Sequence, residues 1–254
     1  MKFFLKKIYI FFNSVGIDLL KILNFLFILK YCKELFTFLA KGGKINGLIP
    51  ILGEHLKLSG SIDRHYFLLD LFIANKIYKR NPKKHLDIGS RFDGFVSHVA
   101  SFRKIDVLDI RQNKNIASRV NFIQLDITKK TPNKFLNKYD SISSLHVVEH
   151  IGLGRYGDRI DPNGHFLAFN NMIKFLRKGG TFYFAVPISK KNKIYFNAHR
   201  TFFAKKIINW SADIFLKEFH YIDDRGNFIK YASFDDNKLN NLNYGCGIYI
   251  FKKK

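Results

Sequence analysis

The stretch His85-Leu-Asp-Ile-Gly-Ser-Arg-Phe-Asp-Gly94 decides the fold. A short apolar run ends in Asp87-Ile-Gly89, and the chain then turns through Ser90, Arg91, Phe92 and Asp93 to Gly94. Beyond Gly94 the pattern is helical. Glycine at a strand-to-helix turn lets the backbone approach a ligand where a Cβ would clash. Ligands of open α/β sheets sit there, outside the carboxyl ends of the strands.

Working outward, apolar runs at 84–88, 105–109, 121–126, 140–146 and 180–186 alternate with helical patterns near 94–103 and 163–177. This alternation predicts an α/β fold: a Rossmann-like, mostly parallel sheet with helices on both faces. Upstream, residues 66–78 read as an amphipathic helix that Asn81-Pro82 stops. In the tail, Phe219-His-Tyr-Ile-Asp223 and Gly245-Cys-Gly-Ile-Tyr-Ile-Phe-Lys252 read as two strands, able to pair as an antiparallel C-terminal edge.

A dinucleotide site wants G-x-G-x-x-G and an uncluttered helix N-terminus for a pyrophosphate. This loop has only Gly89 and Gly94, with Asp87 and Asp93 beside them. The two carboxylates repel a pyrophosphate and suit a ligand bearing ammonium and sulfonium charges, as S-adenosylmethionine does. The second strand ends in Asp109, 20 residues after Gly89, where an acid accepts hydrogen bonds from ribose hydroxyls. The third ends in Asp126, placed to accept from an adenine amino group. A helix N-cap explains any one of these acids. It does not explain all three.

The order Leu-Asp-Ile-Gly, Leu-Asp109, Leu-Asp126, then Tyr139-Asp-Ser-Ile-Ser-Ser-Leu-His-Val-Val-Glu-His-Ile151, then Leu176-Arg-Lys-Gly-Gly-Thr-Phe-Tyr-Phe-Ala-Val-Pro187 resembles the class I S-adenosylmethionine-dependent methyltransferases over residues 80–190. Three stretches also resemble a bacterial methyltransferase-like group often associated with surface-glycan loci. They are the loop from Gly89, the segment Glu149-His-Ile-Gly-Leu-Gly-Arg-Tyr-Gly-Asp158 and Phe196-Asn-Ala-His-Arg-Thr-Phe202. The usual second glycine of the first loop is absent, leaving Gly89-Ser90-Arg91. The resemblance implies S-adenosylmethionine as cofactor, held by Asp87, Gly89, Ser90, Arg91, Gly94, Asp109, Asp126 and His146. It implies transfer to a hydroxyl of a sugar or glycan precursor.

Methyl transfer to oxygen needs a positioned nucleophile and a base for its proton. Imidazole titrates near neutral pH. His146, Glu149 and His150 follow the fourth strand, and His150 is the preferred base. Arg155, Asp158, His165, His199 and Arg200 are the candidate acceptor contacts, the arginines suiting phosphate or carboxylate. His146-Val-Val-Glu-His150 also matches H-x-x-E-H, an inverted zinc-protease pattern. That chemistry needs a helix and a third ligand. The strand-like Ser141-Ile-Ser-Ser-Leu145 and the glycines at 152, 154 and 157 argue against it, so no metal is expected.

Composition bounds the rest. With 254 residues and 47% apolar content, the chain holds one large domain and is not disordered. Its formal charge of +23 fits an anionic partner, or low-GC coding that enriches Lys, Asn, Ile and Phe. A nucleic-acid methyltransferase is the charge-based alternative. However, strand four lacks an Asp/Asn-Pro-Pro-Tyr/Phe loop for flipped bases, so nucleic acid is not the expected partner. Two distant cysteines, Cys32 and Cys246, define neither disulfide nor zinc site and fit a reduced cytoplasmic protein.

Residues 1–43 read as an amphipathic helical appendage to a methyltransferase-like domain at 44–254. Asp18 and Lys21 break the apolar run, no cleavage site follows, and the stretch is too short to span a bilayer. From Lys30, polar residues fall at 30, 33, 34, 37 and 41, one face of a helix, with Phe25, Leu26, Leu29, Leu35, Phe36 and Leu39 elsewhere. Residues 1–40 thus fit either an anionic membrane surface or packing on protein. A non-catalytic module docked on a membrane-bound glycan assembly is a further reading.

Overall fold

Strand β1 (His85–Ile88) is buried along its whole length. Its parallel neighbours are β2 (Ile105–Asp109) on one side and β4 (Tyr139–Leu145) on the other. The computed structural model describes residues 2–18, 21, 24–56, 64–114 and 117–254. With β3 (Val120–Gln124), β5 (Leu176–Ile188), β8 (Ile214–Ile222), β9 (Phe228–Ile229) and β10 (Gly245–Lys253), the sheet runs β3-β2-β1-β4-β5-β10-β8-β9. Strands β1 to β5 are parallel, and β10 lies antiparallel between β5 and β8. The strand order turns back between β1 and β4, and a crevice opens at such a switch point.

The sheet buries both faces because side chains alternate along each strand. On β5, Phe182, Phe184 and Val186 enter one core, with Phe169 and Phe251. Tyr183 and Ala185 enter the other, with Leu69, Ile73 and Ile77. Those last three share a stripe of helix α3 (Arg64–Arg80). Each large apolar side chain fully buried this way contributes about 1.5–3 kcal/mol. Asn81, at φ +46, ends the helix in the left-handed region ahead of Pro82.

Several elements differ from the sequence expectation. The helix near 94–103 is a π-turn, Phe92–Val96, followed by the single turn α4 (Ser97–Ala100). The break is at Gly94, whose φ −122 and ψ −109 are not helical. Strand β3 stops at Gln124, so Asp126 lies in the loop beyond it. The helix expected at 163–177 is α5 (Gly164–Phe175), and β5 follows it directly. A hairpin, β6 (Lys193–Tyr195) with β7 (His199–Thr201), was not expected. A short helix α6 (Asn237–Asn240) precedes β10.

The chain divides into two compact units, Met1–Ile62 and Asp63–Lys254. The sequence places this boundary at residue 43, but residues 53–55 fold back on 24–27. Phe27 meets the His55 ring edge-on at 5.2 Å, and a Cβ on Gly53 would lie 2.6 Å from Asn24 Oδ1. The first unit contains helices α1 (Lys2–Ser14) and α2 (Ile28–Ala40). Within the expected appendage, Met1, residues 19–20 and residues 22–23 lie outside the described residues.

Candidate active site

At the carboxyl ends of β1, β2 and β4 lies a cavity of about 550 Å³. Gly89, Ser90 and Arg91 form one wall, Asp109 and Arg111 another, and His146, Glu149 and His150 a third. Tyr66 and Asp70 of α3 enter from below, with Arg155, Tyr156, His199 and Tyr244 at the rim. An adjoining apolar cleft of about 80 Å³ is lined by Ile110, Leu125, Ile127 and Ile151, with Asp126 in its wall. Gly89, Asp109 and His150 border both spaces.

The loop after β1 is shaped by glycine and held by Asp87. Gly89 sits at φ +71, and a Cβ there would lie 2.8 Å from Val147 Cγ1. Asp87 is fully buried. It accepts from Ser90 N at 3.0 Å, Ser90 Oγ at 2.8 Å and Ser143 Oγ at 2.6 Å. Burial pushes its carboxyl up to about 6, against these donors. It therefore supports the loop from beneath and is not among the cavity-lining residues. Arg91 lines the cavity while paired in bidentate fashion with Asp93, at 3.0 and 2.9 Å. Gly94 stands outside the lining. A Cβ on it would lie 2.6 Å from Asp70 Oδ2.

Asp109 faces the cavity with both oxygens engaged by Arg111. Its Oδ1 accepts from the Arg111 backbone at 2.8 Å and Nε at 3.0 Å, and its Oδ2 from Nη2 at 2.8 Å. The Arg111 guanidinium stacks 4.5 Å from the Tyr156 ring centre. Asp126 Oδ1 accepts from Thr128 N at 2.9 Å and Thr128 Oγ1 at 2.6 Å.

His146 leaves β4 at φ +57 and donates from Nδ1 to Glu149 Oε1 at 3.1 Å. Burial disfavours its charge, but Cys246 and Glu149 outweigh burial and hold it well above the ordinary histidine range. The His146 Nε2 is buried with no hydrogen-bond partner among the described residues. His150 differs. Its Nδ1 lies 2.6 Å from the Ala198 carbonyl, which only accepts, so Nδ1 carries the hydrogen. In the neutral ring Nε2 keeps its lone pair, 3.7 Å from Glu149 Oε1. Burial lowers the His150 pKa, assisted by Arg155 and His146 and opposed by Glu149 and the Ala198 carbonyl. Burial and the neighbouring His150 lower His199 likewise. Glu149 Oε2 is buried with no hydrogen-bond partner among the described residues.

The remaining candidates divide. Arg155 and His199 line the cavity, and Arg155 donates to the Ala198 carbonyl at 3.1 Å. Asp158 borders the apolar cleft, where Oδ2 accepts from Gly152 N at 2.6 Å and Gly154 N at 3.3 Å, stapling the glycine-rich loop. Arg200 is buried and donates to the carbonyls of Ile151 at 2.6 Å and Pro162 at 3.3 Å. It clamps that loop from behind. His165 lies away from the cavity, stacked 5.6 Å from Phe202 and edge-on to Trp210, and burial lowers its pKa to about 4.

The structure adds Tyr66, Asp70, Arg111, Tyr156 and Tyr244, none of which the sequence reading had. Asp70 is the most informative. It is buried, accepts from the Phe95 backbone, and burial pushes it up to about 6 while His98, His146 and Arg91 pull it down. Its sequence signal is a lone acid beside Leu69, Ile73 and Ala74 on the buried side of α3. Among the described residues no cluster of His, Cys, Asp or Glu is arranged to hold a metal.

Solved structures share this fold. The 1,6-didemethyltoxoflavin-N1-methyltransferase of Burkholderia thailandensis, crystallised with 1,6-didemethyltoxoflavin and S-adenosylhomocysteine, superposes with TM-score 0.53. The match is at 12% identity over 74% of this chain and 79% of that one. A putative sarcosine dimethylglycine methyltransferase from Galdieria sulphuraria matches with TM-score 0.52, at 14% identity over 73% and 84%. The [4+2]-cyclase SpnF matches with TM-score 0.52, at 11% identity over 72% and 80%. At such identities the likeness is one of fold, the class I methyltransferase fold. No curated protein matches the sequence. One family model does, over residues 95–223, described as "Caenorhabditis protein of unknown function", and it carries neither a bacterial nor a glycan association. Because that match runs from Phe95, just past the cavity loop, through β8 and spans half the chain, the protein belongs to the DUF268 family.

Proposed function

We propose that the protein is an S-adenosylmethionine-dependent methyltransferase acting on a hydroxyl of a sugar or glycan precursor. The observation that carries the cofactor is the paired space: a polar cavity above Gly89 and Asp109, beside an apolar cleft bordered by Asp126 and sharing part of its lining. That pair fits a nucleoside with a charged amino-acid tail. Asp109 would take the ribose, the Leu125 and Ile151 cleft with Asp126 the adenine, and Asp70 with the Gly89 loop the methionine end. The bound cofactor supplies an electrophilic methyl group on a sulfonium.

The chain's own residues handle the proton. Ala198 fixes the His150 tautomer, so Nε2 is the atom that accepts from an acceptor hydroxyl. Glu149 Oε1, 3.7 Å away, stabilises the imidazolium that results. His146 Nδ1 donates to Glu149 Oε1 and orients it, so the three side chains act as a unit. Arg155 and His199 at the rim suit an oxygen-rich acceptor. A positioned base favours oxygen over amine acceptors, because a neutral amine attacks without losing a proton first.

The test is methyl transfer from labelled S-adenosylmethionine to a panel of sugar hydroxyls. His150→Ala should lower kcat by about 10²–10⁴, far more than it changes cofactor affinity. The wild-type rate should rise with pH through a pKa below the ordinary histidine range and level off by neutrality. Turnover in His150→Ala equal to wild type would remove the base assignment. SpnF has the same fold and is described as a cyclase, so turnover needs its own demonstration beyond cofactor binding.

A further inference from the structure

Half the circumference of helix α2 is apolar, and none of its residues is buried. Lys30, Lys33, Glu34 and Thr37 occupy one side, and the other carries Leu29, Leu35, Phe36 and Leu39. Leu29 is 78% exposed and Phe36 69%. The same unit exposes Ile10 and Phe11 of α1, and the loop around Pro50 exposes Leu48, Ile49 and Ile51, with Ile49 at 81%. Isolated exposed apolar residues are ordinary. A patterned face of this extent marks an interaction surface.

We propose that this N-terminal unit docks in the plane of an anionic membrane interface. Helix α2 has 13 residues, so it is about 20 Å long against a hydrocarbon core of about 30 Å. Among the described residues no helix is long and apolar enough to cross a membrane. Such a helix lies flat, with apolar side chains in the acyl boundary and the polar side at the headgroups. Charge chooses the occupant. Residues 1–62 contain nine lysines, three acids and no arginine. Lys30 and Lys33 lie on the polar side of α2, and Lys41 and Lys44 follow its end. The Lys30–Glu34 pair at 3.8 Å is exposed and weak, so it leaves Lys30 available to headgroups. Protein interfaces enrich arginine and deplete lysine, whereas lysine among phenylalanine and leucine fits anionic headgroups.

The experiment is sedimentation of the full chain with vesicles. Phosphatidylcholine alone is compared with equal parts of phosphatidylcholine and phosphatidylglycerol. Binding to the anionic vesicles only is expected. Lys33→Gln and Lys41→Gln should each weaken it about fivefold. The pair Leu29→Ser with Phe36→Ser should weaken it about tenfold or more, with far-UV circular dichroism unchanged because both sites are exposed. Equal binding to both vesicle types, or to neither, would overturn the proposal. So would a dimer in analytical ultracentrifugation that the Leu29→Ser, Phe36→Ser pair dissolves, since a second copy would then cover this face.

Discussion

A ribose bound at Asp109 would compete with Arg111 for the carboxylate. Oδ1 accepts two hydrogens from Arg111 and Oδ2 a third, which leaves one lone pair on Oδ2 for a single hydroxyl. A ribose that used both hydroxyls would displace one Arg111 contact on Oδ1, and the guanidinium would remain stacked on Tyr156. The pair is half exposed on the arginine side, so it is worth at most about 1 kcal/mol. Arg111→Ala should therefore tighten S-adenosylhomocysteine binding by up to about fivefold, measured by calorimetry. Weaker binding would show that Arg111 holds the ligand instead. At this scale the sequence was legible in part. It marked three acids at strand ends, but order along the chain does not say where a side chain points. Asp109 faces the cavity, Asp126 borders the smaller cleft, and Asp87 turns beneath the loop toward Ser143. Arg200 and Asp158 carry chemistry suited to ligands and spend it on backbone groups of the 151–162 loop.

Among the elements, β1 and β4 form a polar seam inside an apolar sheet. His85 is buried between Ser141 Oγ at 2.9 Å and Ser143 Oγ at 3.1 Å. Burial, with help from Arg103, lowers its pKa to about 3. The folded state keeps this ring neutral while the unfolded chain protonates near 6.5, so stability falls as pH drops from about 6.5 to about 3. The shift corresponds to about 4–5 kcal/mol. Asp87, raised to about 6, works the other way. Its folded form keeps a proton that the unfolded chain loses above about 4, so its penalty grows as pH rises to about 6. The two partly cancel in wild type. Denaturant melts of His85→Gln against wild type isolate the first effect: the variant should gain relative stability steadily below pH 6.5. A difference independent of pH would show that His85 is not held neutral. This seam also explains how β4, expected as a strand, carries serines into the core. Its serines look exposed in the sequence, yet all seven residues are buried, because Ser141 and Ser143 serve β1 side chains. The β6–β7 hairpin escaped because three-residue strands are too short for periodicity to register.

For the molecule as a whole, the alternation of strands and helices was enough to give the parallel sheet and its antiparallel edge. It could not give the insertion of β10 between β5 and β8, because tail strands have no crossover helix to fix their order. The first unit was legible as amphipathic, and its exposed face remains the part of the chain most in need of a partner. The fold alone does not assign chemistry. The proposed chemistry rests on the cavity at the switch point, lined by Gly89, Asp109, Asp70 and the His150 group. Calorimetric titration of the full chain with S-adenosylmethionine and S-adenosylhomocysteine probes this cavity directly. One site for each ligand is expected, with binding lost in Asp109→Ala while the fold is retained. No heat with either ligand, or equal affinity in Asp109→Ala, would contradict the proposed cofactor site.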